Sequence, residues 1–225
     1  MSLPPSGSAS RPLIVIGTGG AAREVAGFAG ECLTPFHAVA LVDHDDAAGI
    51  GLTCAGLPVM RLREAVAVHP RVEAVIAIGS ADIRRRIAAD LQQHGVRLAT
   101  LVHRSVYLGP RGKIGEGTII APGSTIMCDT SIGANVYINI GCTVSHDTII
   151  EDFATLSPGV SVPGTVHIEN GAFIGTGASF VHGKPGLPLR IGRDAVVGAG
   201  ACVTADVKVE QIVVGVPARP VARKQ

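Results

Sequence analysis

With no tryptophan and only 3% aromatic residues, this 225-residue chain cannot build its core around large rings. Its buried surface has to come from aliphatic side chains. The five cysteines (Cys32, Cys54, Cys128, Cys142 and Cys202) are odd in number and form no CxxC pair. That argues against a disulfide framework and for reduced thiols in a cytoplasmic protein. A net charge of only +1 gives no reason to expect nucleic acid or an anionic membrane as partner. No apolar run is long and uninterrupted enough to cross a bilayer. A signal-peptide pattern is also missing: residues 1–11 are polar, rich in Ser and Pro, and read as a disordered or expression-derived start.

What the chain has instead is a rhythm. One aliphatic or Phe residue recurs every six positions through Leu108, Ile114, Ile120, Ile126, Ile132, Ile138, Val144, Ile150, Leu156, Val162, Ile168, Ile174 and Phe180. The rhythm breaks once and resumes at Ile191, Val197, Val203 and Val209. Neither a helix nor a simple strand repeats every six; a hexapeptide β-helix does. Four residues after each anchor the side chain is small or compact, as in Thr118, Ser124, Cys142, Ala154, Ala172 and Ala178. Three hexads make one triangular coil, so residues 18 apart stack at a rise of about 4.8 Å. Stacked coils bury their faces only on neighbours, so both ends need caps. The expected coil domain, with its C-terminal cap, is residues 103–225.

Residues 12–102 read as a different domain. The short strand Leu13–Ile16 runs into Gly17-Thr18-Gly19-Gly20-Ala21-Ala22-Arg23-Glu24 and a helical pattern to about Gly30. Strand, Gly-rich turn and helix aim backbone N–H groups at a phosphate. A second strand, Ala38–Val42, ends at Asp43, placed to hold a sugar hydroxyl or a base edge. A third, Val72–Gly79, ends in Gly79-Ser80. The following helix, Ala81–His94, carries Arg84, Arg85 and Arg86, which read as a solvated basic face. This is a reduced Rossmann-like unit, α/β in class, with room for one nucleotide diphosphate rather than NAD.

The chemistry points to the coils. His146-Asp147 falls at a corner, and an imidazole beside a carboxylate is a general base with an orienter; an ordinary histidine titrates at about 6.5, suited to neutral pH. Eighteen residues on stands Gly164, whose N–H could serve as an oxyanion donor one coil above. His182, two coils up at about 10 Å, is too far to share a proton and opens the segment Gly183–Leu189 that breaks the repeat. Lys184 in that segment could meet a phosphate or be merely solvated. The coil histidines His103, His146, His167 and His182 offer no triad for a metal-dependent hydratase, and no metal is expected.

Several motifs together resemble a known family. They are Gly17-Thr18-Gly19-Gly20, Ala77-Ile78-Gly79, Asn139-Ile140-Gly141, Val144-Ser145-His146-Asp147, Phe173-Ile174-Gly175-Thr176-Gly177, Val197-Gly198-Ala199-Gly200 and Val214-Gly215-Val216-Pro217-Ala218-Arg219. The chain is similar, over roughly 12–222, to the bacterial sugar O/N-acyltransferases, which include sialic acid O-acetyltransferases and acetyltransferases of nucleotide-linked 4-amino sugars. The resemblance implies a left-handed parallel β-helix, a homotrimer with sites at subunit interfaces, and acetyl-CoA as co-substrate. It implies His146 as base, Asp147 as its partner and Gly164 as donor to the thioester oxygen. Asn139 would lie beside the acceptor sugar. Thr176, Gly177, Ala199 and Pro217 would hold the cofactor. Gly19, Gly20 and Ala21 would contact the diphosphate, with Asp43, Gly79 and Ser80 completing the nucleotide-sugar site. Two positions depart from the family: several relatives carry histidines where this chain has Ala21 and Ala154. The expected reaction is N-acetylation of the C4 amine of a perosamine- or bacillosamine-type nucleotide sugar, with O-acetylation of a sugar such as sialic acid as the alternative. Surface polysaccharide assembly is the family's setting.

Overall fold

The corner is the structural unit that the six-residue rhythm builds. At every sixth residue from Arg111 to Gly177 the backbone turns left-handed, with φ between +53° and +73°. Those positions hold mostly Gly, Asn and Asp, which tolerate that conformation. Between corners lie two-residue strands, the first residue pointing out and the anchor pointing in. Ile126, Ile132, Ile138, Val144 and Ile150 are each 2% exposed or less. The second inward position is equally dry: Thr118, Cys142, Thr148, Ala154 and Ala178 are completely buried.

A computed structural model describes residues 10–44 and 50–221. The chain divides into one compact unit ending at Arg104 and another beginning at Ser105. Residues 1–9 of the expected disordered start lie outside the described residues, and Arg11 already belongs to a strand.

The second unit is a left-handed parallel β-helix with three faces. The first face stacks Thr125–Ile126, Thr143–Val144, Ser161–Val162, Ser179–Phe180 and Cys202–Val203. The second stacks Lys113–Ile114, Ser131–Ile132, Ile149–Ile150, Val166–Ile168 and Leu189–Ile191. The third runs from Ile119–Ile120 through Tyr137–Ile138, Thr155–Leu156, Phe173–Ile174 and Val196–Val197 to Ile212–Val214. Partners are 18 residues apart until the break, where His167 faces Arg190, 23 residues on, so the break adds five. The extra residues form a tight hairpin in which Lys184 and Leu187 exchange backbone hydrogen bonds of 3.0 and 2.8 Å.

One anchor is corrected. Val209 is 50% exposed, and Val207, 4% exposed and bridged to Ile191, takes the inward place. The phase shifts there because the stack is ending. Arg219–Val221 turns back antiparallel on Ile212–Val214, which terminates the parallel ladder.

The first unit is a sheet of β1 (Arg11–Ile16), β2 (Phe36–Val42), β3 (Thr53–Cys54), β4 (Leu57–Met60), β5 (Glu73–Ile76) and β6 (Arg97–Leu98), in the order β3-β4-β2-β1-β5-β6. All neighbours are parallel except β3 and β4. Helices α1 (Gly20–Phe28), α2 (Leu62–Val68) and α3 (Ala81–Gln93) connect the strands. Alternate strand residues (Ile14, Ile16, Ala40, Val42, Ala74 and Ile76) pack against Leu62 and Ala65 of α2 and Ile87 and Leu91 of α3. Strand order reverses at β1, the place where open parallel sheets present a crevice at their C-terminal ends. No described helix is long and apolar enough to cross a membrane.

Candidate active site

His146 and Asp147 sit in the corner after Thr143–Val144. Asp147 is the left-handed residue of that corner, φ +55°. The turn folds its carboxylate back on the preceding ring, and His146 Nδ1 lies 2.8 Å from Asp147 Oδ2. With Nδ1–H donating to the carboxylate, the neutral imidazole keeps its lone pair on Nε2, the atom that can accept a proton. The two side chains are 59% and 62% exposed, so an incoming substrate can reach them.

Gly164 is on the same edge, one coil up, because Thr143 pairs with Ser161 and Val144 with Val162. A Cβ on Gly164 would stand 2.5 Å from His146 Cε1 and 2.7 Å from Nε2. The imidazole therefore occupies the space a side chain would need. One coil below, Arg111 grips Asp129 at both oxygens, 2.6 and 2.7 Å. Those hydrogen bonds hold the Asp129 carboxyl below the usual carboxylate range. Asp129 is thus committed to Arg111, which leaves Asp147 as the imidazole's partner.

Asn139, Thr176, Gly177, Ala199 and Pro217 do not share that edge. Asn139, Thr176, Gly177 and Ala199 each follow a strand of the third face and line the corner between third and first faces, whereas His146 and Gly164 line the corner between first and second; Pro217 lies in the turn between Ile212–Val214 and Arg219–Val221, where the Ala218 N–H donates to the Cys202 carbonyl at 2.8 Å. Asn139 Oδ1 accepts from the Ile140 N–H at 2.7 Å. Along this second edge Gly141, Gly159, Gly177 and Gly200 are all left-handed, and a Cβ on any of them would meet nothing within 4 Å. The edge presents open backbone, which fits a thin extended chain such as a pantetheine arm. Ala154 is fully buried in the prism, so no side chain at that position faces either edge.

In the first unit three loops leave the same end of the sheet. Gly17 donates to the Val42 carbonyl at 2.8 Å and Ala77 to Ile16 at 3.0 Å, so the turns after β1, β2 and β5 converge. Gly17 takes φ +119°, and a Cβ there would press on the Ala77 oxygen at 3.2 Å, so glycine is required. Gly19 caps α1 without any side-chain bond, leaving first-turn N–H groups at Gly20 and Ala21 open to an anion. Ser80 caps α3, its Oγ accepting from the Ile83 N–H. Asp43 lies to one side, lining a cleft of about 450 Å³ with His44, Arg61, Arg63, Asp90 and His94. That cleft does not include Gly19, Gly20, Ala21, Gly79 or Ser80.

The basic face of α3 needs correction. Arg84 is not solvated; it is 1% exposed, and its guanidinium donates to the Ile78 and Gly79 carbonyls at 2.8 Å each. The loop after β5 turns its carbonyls inward, and a buried cation satisfies them. Arg85 pairs with Asp82, leaving Arg86 as the solvated member of the three. Arg84→Leu is expected to cost about 2–4 kcal/mol, because buried carbonyls lose their donors. Urea denaturation of the full chain measures this.

Known proteins resemble the chain in sequence and in fold. Residues 12–91 match the family described as the PglD N-terminal domain. Over 148 residues the chain is 40% identical to the GDP-perosamine N-acetyltransferase of Escherichia coli, spanning 66% of this chain and 67% of that protein. WeeI from Acinetobacter baumannii AYE superposes with a TM-score of 0.86 at 30% identity, covering 94% of this chain and 100% of its own. A His-to-Asn variant of perosamine N-acetyltransferase from Caulobacter crescentus, in complex with CoA and GDP-perosamine, has a TM-score of 0.84 at 28% identity over 96% and 99% of the two chains. For the acetyltransferase domain of PglB from Neisseria gonorrhoeae, in complex with acetyl coenzyme A, the values are 0.83, 27%, 95% and 100%.

Proposed function

Because this chain belongs to the bacterial sugar acyltransferases and is an acetyl-CoA-dependent acetyltransferase, we propose that it N-acetylates the C4 amine of a nucleotide-linked 4-amino-6-deoxy sugar of the GDP-perosamine kind. The observation that carries this reading is the His146–Asp147 pair, 2.8 Å apart, with its ring against the bare Gly164.

Acetyl-CoA supplies an activated acetyl thioester. His146 Nε2 takes the proton from the amine nitrogen as the C–N bond forms. Asp147 keeps the ring in the tautomer with Nε2 unprotonated and steadies the imidazolium. The Gly164 N–H donates to the carbonyl oxygen as it gains negative charge. The proton on His146 then goes to the departing sulfur. Gly19, Gly20, Ala21, Gly79 and Ser80 hold the diphosphate end of the acceptor, and Asp43 its ribose or base. Thr176, Gly177, Ala199 and Pro217 hold the cofactor, with Asn139 near the sugar.

Asn139, Thr176, Gly177 and Ala199 stand on a different edge of the prism from His146, so one β-helix alone does not assemble the site. A second copy that brings its glycine-lined edge against the His146 edge does, and a closed ring of three such contacts is a homotrimer.

The test is a thiol-release assay with acetyl-CoA and three acceptors: GDP-perosamine, free sialic acid, and GDP-mannose with a hydroxyl at C4. Thiol release with the first alone, inhibited by GDP, is the expected result. Turnover of free sialic acid without inhibition by GDP would reverse the assignment.

A further inference from the structure

We propose that Thr148 is a positioning residue that aims the Gly164 N–H, an inference resting on the reading of Gly164 as oxyanion donor. Thr148 is completely buried inside the prism. Its Oγ1 donates to the Pro163 carbonyl at 3.2 Å and makes a longer contact, 3.5 Å, with the His146 carbonyl. The Pro163–Gly164 peptide is trans, since the one cis bond among the described residues is Val216–Pro217. In a trans peptide the C=O and the following N–H point in opposite directions from one rigid plane. Holding the Pro163 oxygen inside the prism therefore turns the Gly164 N–H outward, on the edge where His146 stands.

The neighbouring main chain is pinned as well. The Thr165 N–H donates to the His146 carbonyl at 3.0 Å, and the Gly183 N–H donates to the Gly164 carbonyl at 3.1 Å. The Gly164 N–H itself has no acceptor among the described residues.

The same device recurs elsewhere in the coils, with a difference. Thr118 donates to the Gly133 carbonyl at 2.8 Å, Ser124 to Asn139 at 2.9 Å, and the Cys142 thiol to Ser157 at 3.2 Å. In each case the tie spans 15 residues, as it does from Thr148 to Pro163. The outward N–H that follows is capped in two of these: Ala134 donates to Asp152 Oδ1 and Ile140 to Asn139 Oδ1, both at 2.7 Å. In the third the next residue is Pro158, which has no N–H. Of the four tied peptides, the one beside His146 is the one whose N–H is left open. Burial pushes the Cys142 thiol up to about 11, so it stays protonated and able to donate. A thiol therefore fits this niche as a weaker donor.

The experiment compares Thr148→Ser, Thr148→Cys and Thr148→Val with Thr118→Val, which removes the same tie at another corner. Steady-state kcat, KM for acetyl-CoA and melting temperature are measured for each, with His146→Asn alongside. The expected order of kcat is Ser near wild type, Cys lower, and Val lowest by about 10–100-fold, with KM for acetyl-CoA within about twofold. Thr118→Val is expected to lose melting temperature and keep kcat. If Thr148→Val does not fold, Thr148→Cys against Thr148→Ser reads the same step. Cys and Val variants with wild-type kcat would overturn the inference while His146→Asn still loses activity. Full turnover in His146→Asn would instead sink the proposed mechanism itself.

Discussion

His146→Asn is expected to lower kcat by about 10²–10⁴-fold, the usual contribution of a positioned general base. The protein should remain folded, because the side chain is 59% exposed and lies outside the aliphatic core. Acetyl-CoA affinity should change little, because the residues assigned to hold the cofactor are Thr176, Gly177, Ala199 and Pro217, while His146 is assigned to the acceptor amine. A pH series distinguishes loss of a base from loss of geometry. Activity in the variant should recover partially as pH rises, since more of the acceptor amine is then in its neutral, nucleophilic form and hydroxide can take the proton released as the C–N bond forms. Isothermal titration with CoA and steady-state kinetics between neutral and alkaline pH measure both. A variant that turns over normally would remove His146 from the reaction.

Gly164→Ala is expected to be nearly as damaging, although it adds a single methyl group. A Cβ placed 2.5 Å from His146 Cε1 and 2.7 Å from Nε2 cannot coexist with the ring as it stands. Gly164 is not among the residues with positive φ, so alanine introduces no left-handed strain. The fold should survive and the imidazole should swing away, taking Nε2 from its place and crowding the amide. A fall in kcat of about 10²-fold or more follows, the lower end of what a positioned general base contributes. The diagnostic is non-additivity. Adding Gly164→Ala to His146→Asn should cost much less than Gly164→Ala alone, because the ring it collides with is gone and only the donor remains to be disturbed. Full additivity would show that the two groups act independently.

Both results bear on the division between what is local and what is not. The edge that carries His146, Asp147 and Gly164 is readable from spacing, because a six-residue unit closing every third turn leaves each residue opposite the one 18 positions on. Arg111, Asp129, Asp147 and Thr165 share the left-handed corner position of successive coils for the same reason. The glycine turn after β1 is equally local, since Gly17 must take a φ that other residues resist. Elements without a repeat or a long apolar run, namely β3, β4 and α2, carry too few residues to announce themselves. The cofactor residues can be named by resemblance, but their separation onto another edge emerges only once the three faces are assigned.

The amino-acid sequence by itself determined the triangular coil, the Gly-rich strand-turn-helix start and the vertical partners of His146, because hexad phase propagates through backbone hydrogen bonds between adjacent coils. Tertiary structure alone decided where that phase ends, with Val207 inward and Val209 out. It also decided that Arg84 is buried beneath the Gly79 loop and that the Thr148 hydroxyl reaches the Pro163 carbonyl. These depend on which polar group is left facing inward after the chain has packed, and such a debt is settled across space rather than along the chain.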